Sequence, residues 1–143
     1  MTAPTRPMLT GAVRELLLGD AAFASLCGGR LGSKSPADVT TPYATMSVSA
    51  TPIAGGGVVW RCTAQVKGCC SVAIGGLEPE EVAWDIAAAA ARVFDHARNV
   101  VWRNVAYSGR VELGPMPGSD LTRSESEPVY WALVRADLTA HLR

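Results

Sequence analysis

Three of the chain's four cysteines, Cys62, Cys69 and Cys70, fall within nine residues. Such a group could bind a metal ion or react as thiols, because thiolates are nucleophiles and zinc ligands. Zinc sites, however, place four ligands around one ion and commonly use cysteine pairs with two to four residues between them. In an extended strand, Cys62 and Cys70 lie about 26 Å apart and Cys69 points to the opposite face. We therefore interpret all three as small core residues.

The other residue types that support catalysis form no recognisable site in the sequence. His96 and His141 have no serine or cysteine neighbour in a nucleophile motif. The glycines at 55–57 match no phosphate-binding loop. The acidic residues at 78–85 are typical of a helix start, where they complement the helix dipole. We predict no catalytic residue, no metal and no cofactor, hence a protein that is not an enzyme.

The composition favours a single domain, spanning residues 1–143, that associates with other proteins. Thirteen basic residues balance thirteen acidic ones, so the chain lacks the basic excess that DNA-binding proteins use to neutralise phosphates. A net charge near zero also gives little repulsion between copies. No apolar run approaches the roughly 20 residues of a membrane span, and the N-terminal segment lacks a signal peptide's apolar run. We predict synthesis in the cytoplasm and no membrane partner.

Hydrophobic periodicity predicts the first elements of the chain. Helical spacing predicts helices over residues 7–18 and 21–27, the second of them capped by Asp20. Residues 28–42 are rich in turn formers and are expected to form a loop, with a short strand near residues 30 and 31.

Strict alternation over residues 58–72 is the strongest pattern in the sequence and predicts a long strand. It places Trp60, Cys62, Val66 and Cys70 on one face. Arg61, Gln65 and Lys67 lie on the other. Residues 43–50 and 130–140 alternate in the same way. An alanine-rich helix over 77–99 has an apolar arc wide enough to contact its own sheet and a further neighbour.

Residues 100–107 and 110–114 are predicted to form short strands joined through Ser108 and Gly109. Residues 115–127 are predicted to form a polar loop. The order of elements is then α, α, β, β, α, β, β, β. This order predicts an α+β fold, a two-layer domain with a mostly antiparallel twisted sheet and helices packed on one face.

Four segments, taken in order, carry a family resemblance: AVRELLLGDAAFASLCGGRL, TPYATMSVSATP, WRCTAQVKGCCSV with the following LEPEEVAWDIAAAAARVF, and EPVYWALVRADLTAHL. Together they resemble the tail-terminator, or tail-completion, family of long non-contractile-tailed phages (siphoviruses), which includes the U protein of lambda-like phages. The family has opening helices with an arginine-initiated strand, a Pro-Tyr strand, an Arg-x-x-x-Gln-Val strand before an alanine-rich helix, and a closing Val-Tyr strand. The extended loop GSKSPADVTT and the glycine and cysteine pair after Lys67 depart from this pattern.

The resemblance implies a non-enzymatic structural protein of the virion tail or neck, assembled in the host cytoplasm. Family members form a ring, typically a homohexamer, that caps the tail tube, ends its polymerisation and joins the tail to the head. The implied partners are further copies of the chain, the tail-tube protein, the head–tail connector or stopper, and genomic DNA passing through the lumen without sequence-specific binding. Basic residues that are candidates for inter-subunit or lumen contacts are Arg61, Lys67, Arg30, Lys34 and Arg123.

Three other functions stay open at this point. One is another neck protein, such as a head-completion, stopper or minor tail protein. A second is a small thiol- or metal-dependent α+β enzyme that uses the cysteines. A third is a small-molecule-binding module, which a well-formed apolar pocket would favour. The roles of the segments 32–42 and 115–127 are likewise open.

Overall fold

Three helices and six strands make up the described part of the chain in the computed structural model, which covers residues 9–34, 36, 42–52, 59–120 and 129–142. The helices are α1 (Leu9–Leu18), α2 (Ala21–Cys27) and α3 (Pro79–Asp95). The strands are β1 (Leu31–Gly32), β2 (Tyr43–Pro52), β3 (Val59–Cys70), β4 (Val100–Trp102), β5 (Val105–Asp120) and β6 (Val129–Leu142). The predicted order of elements is confirmed, and β1 is the short strand expected near residues 30 and 31.

The six strands form one sheet in the order β1-β2-β3-β6-β5-β4. β1 runs parallel to β2, and every other neighbouring pair is antiparallel. The helices pack on one side of this sheet, where α3 crosses β3, β6 and β5 and α1 meets β2. The α+β prediction, a mostly antiparallel sheet with helices on one face, is therefore confirmed.

The core lies between the helices and that face of the sheet. Cys62, Val66 and Cys70 of β3 are fully buried there, together with Ile86 and Phe94 of α3. α2 also packs against α3. The wide apolar arc of α3 is thus covered in part by a helix of the same chain.

Two glycines let α3 come close to the sheet. A Cβ added to Gly68 would lie 2.6 Å from the carbonyl oxygen of Ala83 and 2.6 Å from Cβ of Ile86. A Cβ added to Gly109 would lie 3.1 Å from the carbonyl oxygen of Phe94. Glycine inside a strand often marks such a close approach of another backbone. These positions therefore set the spacing between the two layers.

The predicted turn at Ser108 and Gly109 is wrong. The chain turns instead at Arg103 and Asn104, between β4 and β5. Arg103 has a φ of 54°, in the left-handed region that is uncommon outside glycine, and Asn104 is the one common turn former of the two. Gly109 continues the strand because α3 packs over it, and its amide donates to the carbonyl oxygen of Ala97 at 2.9 Å.

The prediction of a loop from residue 115 is also wrong as far as residue 120. β5 extends to Asp120 and stays paired with β6 along this stretch. Its register against β6 shifts twice, between Val111 and Leu113 and between Leu113 and Met116. Such shifts break the alternation that reveals a strand, because each moves the following side chains to the opposite face. Residues 121–128 lie outside the described residues.

Candidate functional site

The four cysteines are buried and lie on both sides of the sheet, as the alternation predicts. Cys27, Cys62 and Cys70 belong to the core beneath the helices, and Cys69 faces the other way. Burial raises the pKa of the Cys27 and Cys70 thiols, which opposes the thiolate that metal binding and nucleophilic attack require. Within the described ranges, no group of three histidine, cysteine, aspartate or glutamate side chains is placed to bind a metal ion.

The sheet face opposite the helices, here called the open face, presents rows of side chains across four strands. The strand register aligns one residue from each of β2, β3, β6 and β5 in each row. From one end of the sheet to the other, the rows are Tyr43–Cys69–Trp131–Gly118, Thr45–Lys67–Leu133–Met116, Ser47–Gln65–Arg135–Leu113, Ser49–Thr63–Asp137–Arg110 and Thr51–Arg61–Thr139–Ser108. The open face is aromatic at one end and charged at the other.

At the charged end, Arg61 forms a two-pronged ion pair. Its Nε and Nη2 donate to the carboxylate of Asp137 at 2.9 and 3.1 Å, and Nη2 of Arg110 lies 3.9 Å from the same carboxylate. This hydrogen bond and the charge of Asp137 raise the pKa of Arg61. The Asp137 side chain is 11% exposed, whereas that of Arg61 is 57% exposed. The carboxylate therefore orients two arginines whose heads reach solvent.

At the aromatic end, cations lie over rings. Nζ of Lys67 is 4.8 Å from the ring centroid of Trp131, and Cζ of Arg30 is 5.9 Å from that of Tyr43. Both distances are typical of cation–π contacts. The Trp131 ring lies across Gly118, where an added Cβ would be 2.3 Å from it. Glycine at this position allows the indole to lie flat on the sheet.

Arg135 lies in the row between these two ends. Its Nε is buried and has no hydrogen-bond partner among the described residues. An unsatisfied buried donor costs about 1–3 kcal/mol. The middle row of the open face thus contains a buried hydrogen-bond donor that has no partner among the described residues.

The predicted contact residues are therefore only partly brought together. Arg61 and Lys67 share the open face, as predicted, and Arg30 lies beside its aromatic end. Lys34 is exposed shortly after β1, at an edge of the sheet. Arg123 lies outside the described residues. Their roles in inter-subunit or lumen contacts stay predictions.

One surface that the periodicity does not reveal lies where β3 leads into α3. Its exposed apolar side chains are Val72, Ile74, Leu77 and Trp84. Leu77 and Trp84 line a shallow groove with Pro117. Acidic side chains complete the groove, namely Glu80, Glu81 and Asp85. The sequence does hold one signal of this surface, since residues 68–91 contain four acidic residues and no lysine or arginine. We call this surface the acidic end.

A second groove lies between α1 and β4, and we call it the basic end. Nε1 of Trp102 donates to the Glu15 carboxylate at 2.8 Å, and Cζ of Arg103 lies 4.5 Å above the same indole ring. Val101, beside them, is half exposed. The residues lining this groove are Gly11, Arg14, Glu15, Leu18, Gly19, Val101, Trp102 and Arg103.

Comparison with known proteins gives a likeness of fold. No family model matches the chain, and no curated protein matches it. Among solved structures, a chain of the structure described as "Virion of native gene transfer agent (GTA) particle" matches with a TM-score of 0.53 and 16% sequence identity. The match covers 89% of this chain and 91% of that chain. At this identity it shows that the two chains share a fold over nearly their whole lengths. No helix in the described part of the chain is long and apolar enough to cross a membrane.

Proposed function

We propose that this chain is a structural protein of a phage-like virion. In finer detail, we propose a tail terminator whose copies form a ring that caps the tail tube, ends its polymerisation and joins the tail to the head-side connector. The observation that carries this proposal is the shared fold with a chain of a gene transfer agent virion, over 89% of one chain and 91% of the other. The ordered resemblance of four sequence segments to tail terminators supports it from the sequence.

The surface of the molecule also supports an assembling protein. Large hydrophobic side chains are exposed at both ends of the sheet, among them Trp84 at 42% and Val101 at 50%. Contiguous exposed apolar surface commonly marks an interaction site. The net charge of zero gives little repulsion between copies. Both properties favour burial of these surfaces against other protein chains.

The open face supplies the positive groups that a surface beside DNA needs. Arg61 and Arg110 extend their guanidinium heads from one carboxylate, and Lys67 is held on Trp131. Cations fixed in this way attract phosphates without reading bases, because backbone contacts carry no sequence information. We therefore assign Arg61 and Lys67 to the lumen of the ring.

Assembly with the tail-tube protein of the same virus tests the proposal. The tube protein is polymerised with and without this chain, and negative-stain images give the tube lengths and the fraction of tubes that carry a ring at one end. We expect tubes to stop growing when the chain is added and to show a ring at one end. A chain that stays monomeric, alone and with tubes, while the tubes continue to grow would overturn the proposal.

A second arm separates the terminator from another neck protein. The purified chain is mixed with the connector or stopper protein in the absence of tubes. A terminator is expected to bind tube ends, and a head-completion protein to bind the connector only. An Arg61→Glu, Lys67→Glu variant tests the lumen assignment in the same assay. It should still cap tubes but lower DNA retention in complete particles, whereas a matched Arg92→Glu variant on the exposed side of α3 should leave DNA retention unchanged.

A further inference from the structure

Exposed hydrophobic side chains concentrate at the acidic end. Of the seven large hydrophobic residues that are exposed in the described ranges, four belong to this end. They are Val72 at 36%, Ile74 at 41%, Leu77 at 41% and Trp84 at 42% exposure. Side chains of this size are normally scattered singly on the surface of a monomer, so their clustering indicates an interaction surface. Tryptophan is also the residue type most enriched where binding energy concentrates.

Among the described residues, the charged side chains that line this groove are all acidic. Glu80 and Glu81 are exposed beside Trp84, with Asp85 half-buried next to them. Residues 68–91 contribute no lysine or arginine. A partner that buries Trp84 must therefore bring positive charge to the rim, since leaving carboxylates unpaired beside a buried contact is costly.

The basic end offers the complementary features on the same chain. Its groove has an apolar wall of Val101 and Trp102, and Arg14 and Arg103 on its rim. Its single carboxylate, from Glu15, already accepts the indole hydrogen of Trp102. Gly11 lies directly against the Trp102 ring, where an added Cβ would be 3.0 Å from the indole, and Gly19 lines the groove beyond it. An exposed indole flanked by carboxylates is complementary to this apolar wall and its two arginines.

The two surfaces lie at opposite ends of the sheet. At the acidic end, Pro117 pairs with Ala132, near the start of β6. At the basic end, Trp102 pairs with Val105, which pairs with Leu142, the last residue of β6. Ten residues of β6 separate the two ends, which is about 33 Å at the rise of an extended strand. A molecule cannot join its own ends over this distance, so the contact has to be made between two copies.

We propose that the acidic end of one copy docks into the basic end of the next, with Trp84 entering the groove between α1 and β4 and Glu80 and Glu81 facing Arg14 and Arg103. The contact is heterologous, because it joins two different surfaces of identical chains. Heterologous contacts generate rings when the rotation between copies closes. This inference rests on the proposed ring and names the surfaces that build it.

Strand addition at the outer edge of β5 is a weaker alternative. That edge carries Pro115 and Pro117, which lack the backbone donor that a further strand would require. Two register shifts also disrupt β5 just before these prolines. Prolines and bulges are the devices by which proteins prevent pairing at sheet edges. The side chains of the two ends are therefore better suited to join copies.

A reciprocal charge reversal tests the contact. One variant carries Glu80→Arg and Glu81→Arg, and the other carries Arg14→Glu and Arg103→Glu. Light scattering after gel filtration measures the mass of each variant alone and of their equimolar mixture, with circular dichroism as a check on folding. Each variant alone should be monomeric, because it brings like charges together. The mixture should regain the wild-type mass, because each reversed surface then meets an opposite one.

Two further variants separate loss of this contact from misfolding and from a general effect of charge. The Arg14→Glu change also removes a hydrogen bond from Arg14 to the Leu31 carbonyl oxygen, so a variant that leaves Arg14 in place is needed. Trp84→Ala is such a variant and should weaken self-association about tenfold or more. A control variant, Arg92→Glu, reverses a charge on the exposed side of α3, outside both ends, and should assemble as wild type. The proposal is overturned if either end variant assembles normally, if folded variants stay monomeric on mixing, or if the wild-type chain does not self-associate at concentrations up to about 1 mM. If the chain assembles through these ends yet fails to stop tube growth, the contact stands and the terminator function falls.

Discussion

The two faces of the sheet are formed by the same strands but have different roles. Beneath the helices, every β3 side chain from Cys62 to Cys70 that points inward is apolar and essentially inaccessible to solvent, and Gly68 lets α3 approach its backbone. On the open face, the same strand presents Arg61 and Lys67, each held by a neighbour on β6. One face stabilises the fold by excluding water, and the other keeps charges in fixed positions at the surface.

The contrast between the two faces predicts which positions tolerate substitution. Stability from burial is large and depends on tight packing, so a lost or added methyl group beneath the helices has a large effect. Exposed ion pairs contribute little to stability. A variant of the open face should therefore alter assembly or DNA contacts more than folding.

The largest loss is expected from Phe94→Ala, which removes a fully buried ring from the helix-covered face. Such a truncation combines lost hydrophobic transfer with a cavity and typically costs about 3–5 kcal/mol. Urea unfolding followed by circular dichroism measures the change in the free energy of unfolding. A loss below about 1 kcal/mol would contradict the tight packing described for this face.

Gly68→Ala should be nearly as damaging although it adds only one methyl group. The new Cβ would lie 2.6 Å from the carbonyl oxygen of Ala83, and backbone cannot move aside as a side chain can. Overpacking of this kind costs about 1–3 kcal/mol. Urea denaturation gives the cost, and a stable variant with an unchanged midpoint would show that α3 is not held against the sheet at this point.

Alkaline pH should weaken the helix-covered face in particular. Burial raises the pKa of Cys27 and Cys70 above their ordinary value of 9.0. Just above pH 9.0, these thiols are therefore ionised in the unfolded chain but stay protonated in the folded chain. Their contribution is complete below pH 9.0 and is lost as the pH rises through the raised folded values, by at most about 1.4 kcal/mol per pH unit for each thiol.

Unfolding free energies at pH 8 and at higher pH check this expectation. Cys70→Ala should reduce the dependence on pH, since it removes one of the two ionising groups. Burial also raises the pKa of Tyr107, so a further loss of stability is expected above its ordinary value of 10.0. The Cys70→Ala variant keeps Tyr107, and this further loss should therefore remain. Stability that rises between pH 9 and pH 10 would have the wrong sign for buried thiols.

Gly118→Ala is the open-face counterpart of Gly68→Ala and should cost less, about 1 kcal/mol. Its new Cβ meets the ring of Trp131, a side chain that can rotate away. The rotation should separate the indole from Lys67 and shift its fluorescence. A cost equal to that of Gly68→Ala would mean that the open face is packed as rigidly as the core.

The smallest effect on stability is expected from Arg61→Met, which removes an exposed ion pair with Asp137. The remaining Arg110 can still approach the carboxylate, which it already faces at 3.9 Å. Thermal unfolding should therefore change little, while DNA retention in particles should fall. A large drop in the midpoint of unfolding would show that Arg61 serves the fold instead.

Elements with an unbroken period were predictable from the sequence. β3 alternates over its whole length and α2 carries its own cap, since Asp20 accepts from the amide of Phe23 at 2.9 Å. β5 was not predicted beyond Gly114, because two register shifts move its side chains between faces. Gly109 resembles a turn residue in the sequence, but its role comes from α3, which is distant in the chain.

The candidate site was predictable only in part, for a similar reason. Local alternation is enough to assign Arg61 and Lys67 to one face of β3. Their partners Asp137 and Trp131 lie more than sixty residues away, so pairing depends on the register between β3 and β6. The basic end likewise depends on contact between Glu15 and Trp102, which belong to opposite parts of the chain.

The sequence by itself determined which residues alternate, where α2 begins and ends, where α1 ends, and that the cysteines cannot gather around one ion. It predicted α3 two residues too long at its start and four too long at its end. These properties follow from the rise and period of a single strand or helix, which neighbouring residues decide. Only the tertiary structure decided which cations meet carboxylates or rings, why two glycines are needed beneath α3, and that the acidic and basic ends lie on opposite sides of the molecule. Those features depend on strand order and register, which are fixed by packing between segments far apart in the chain.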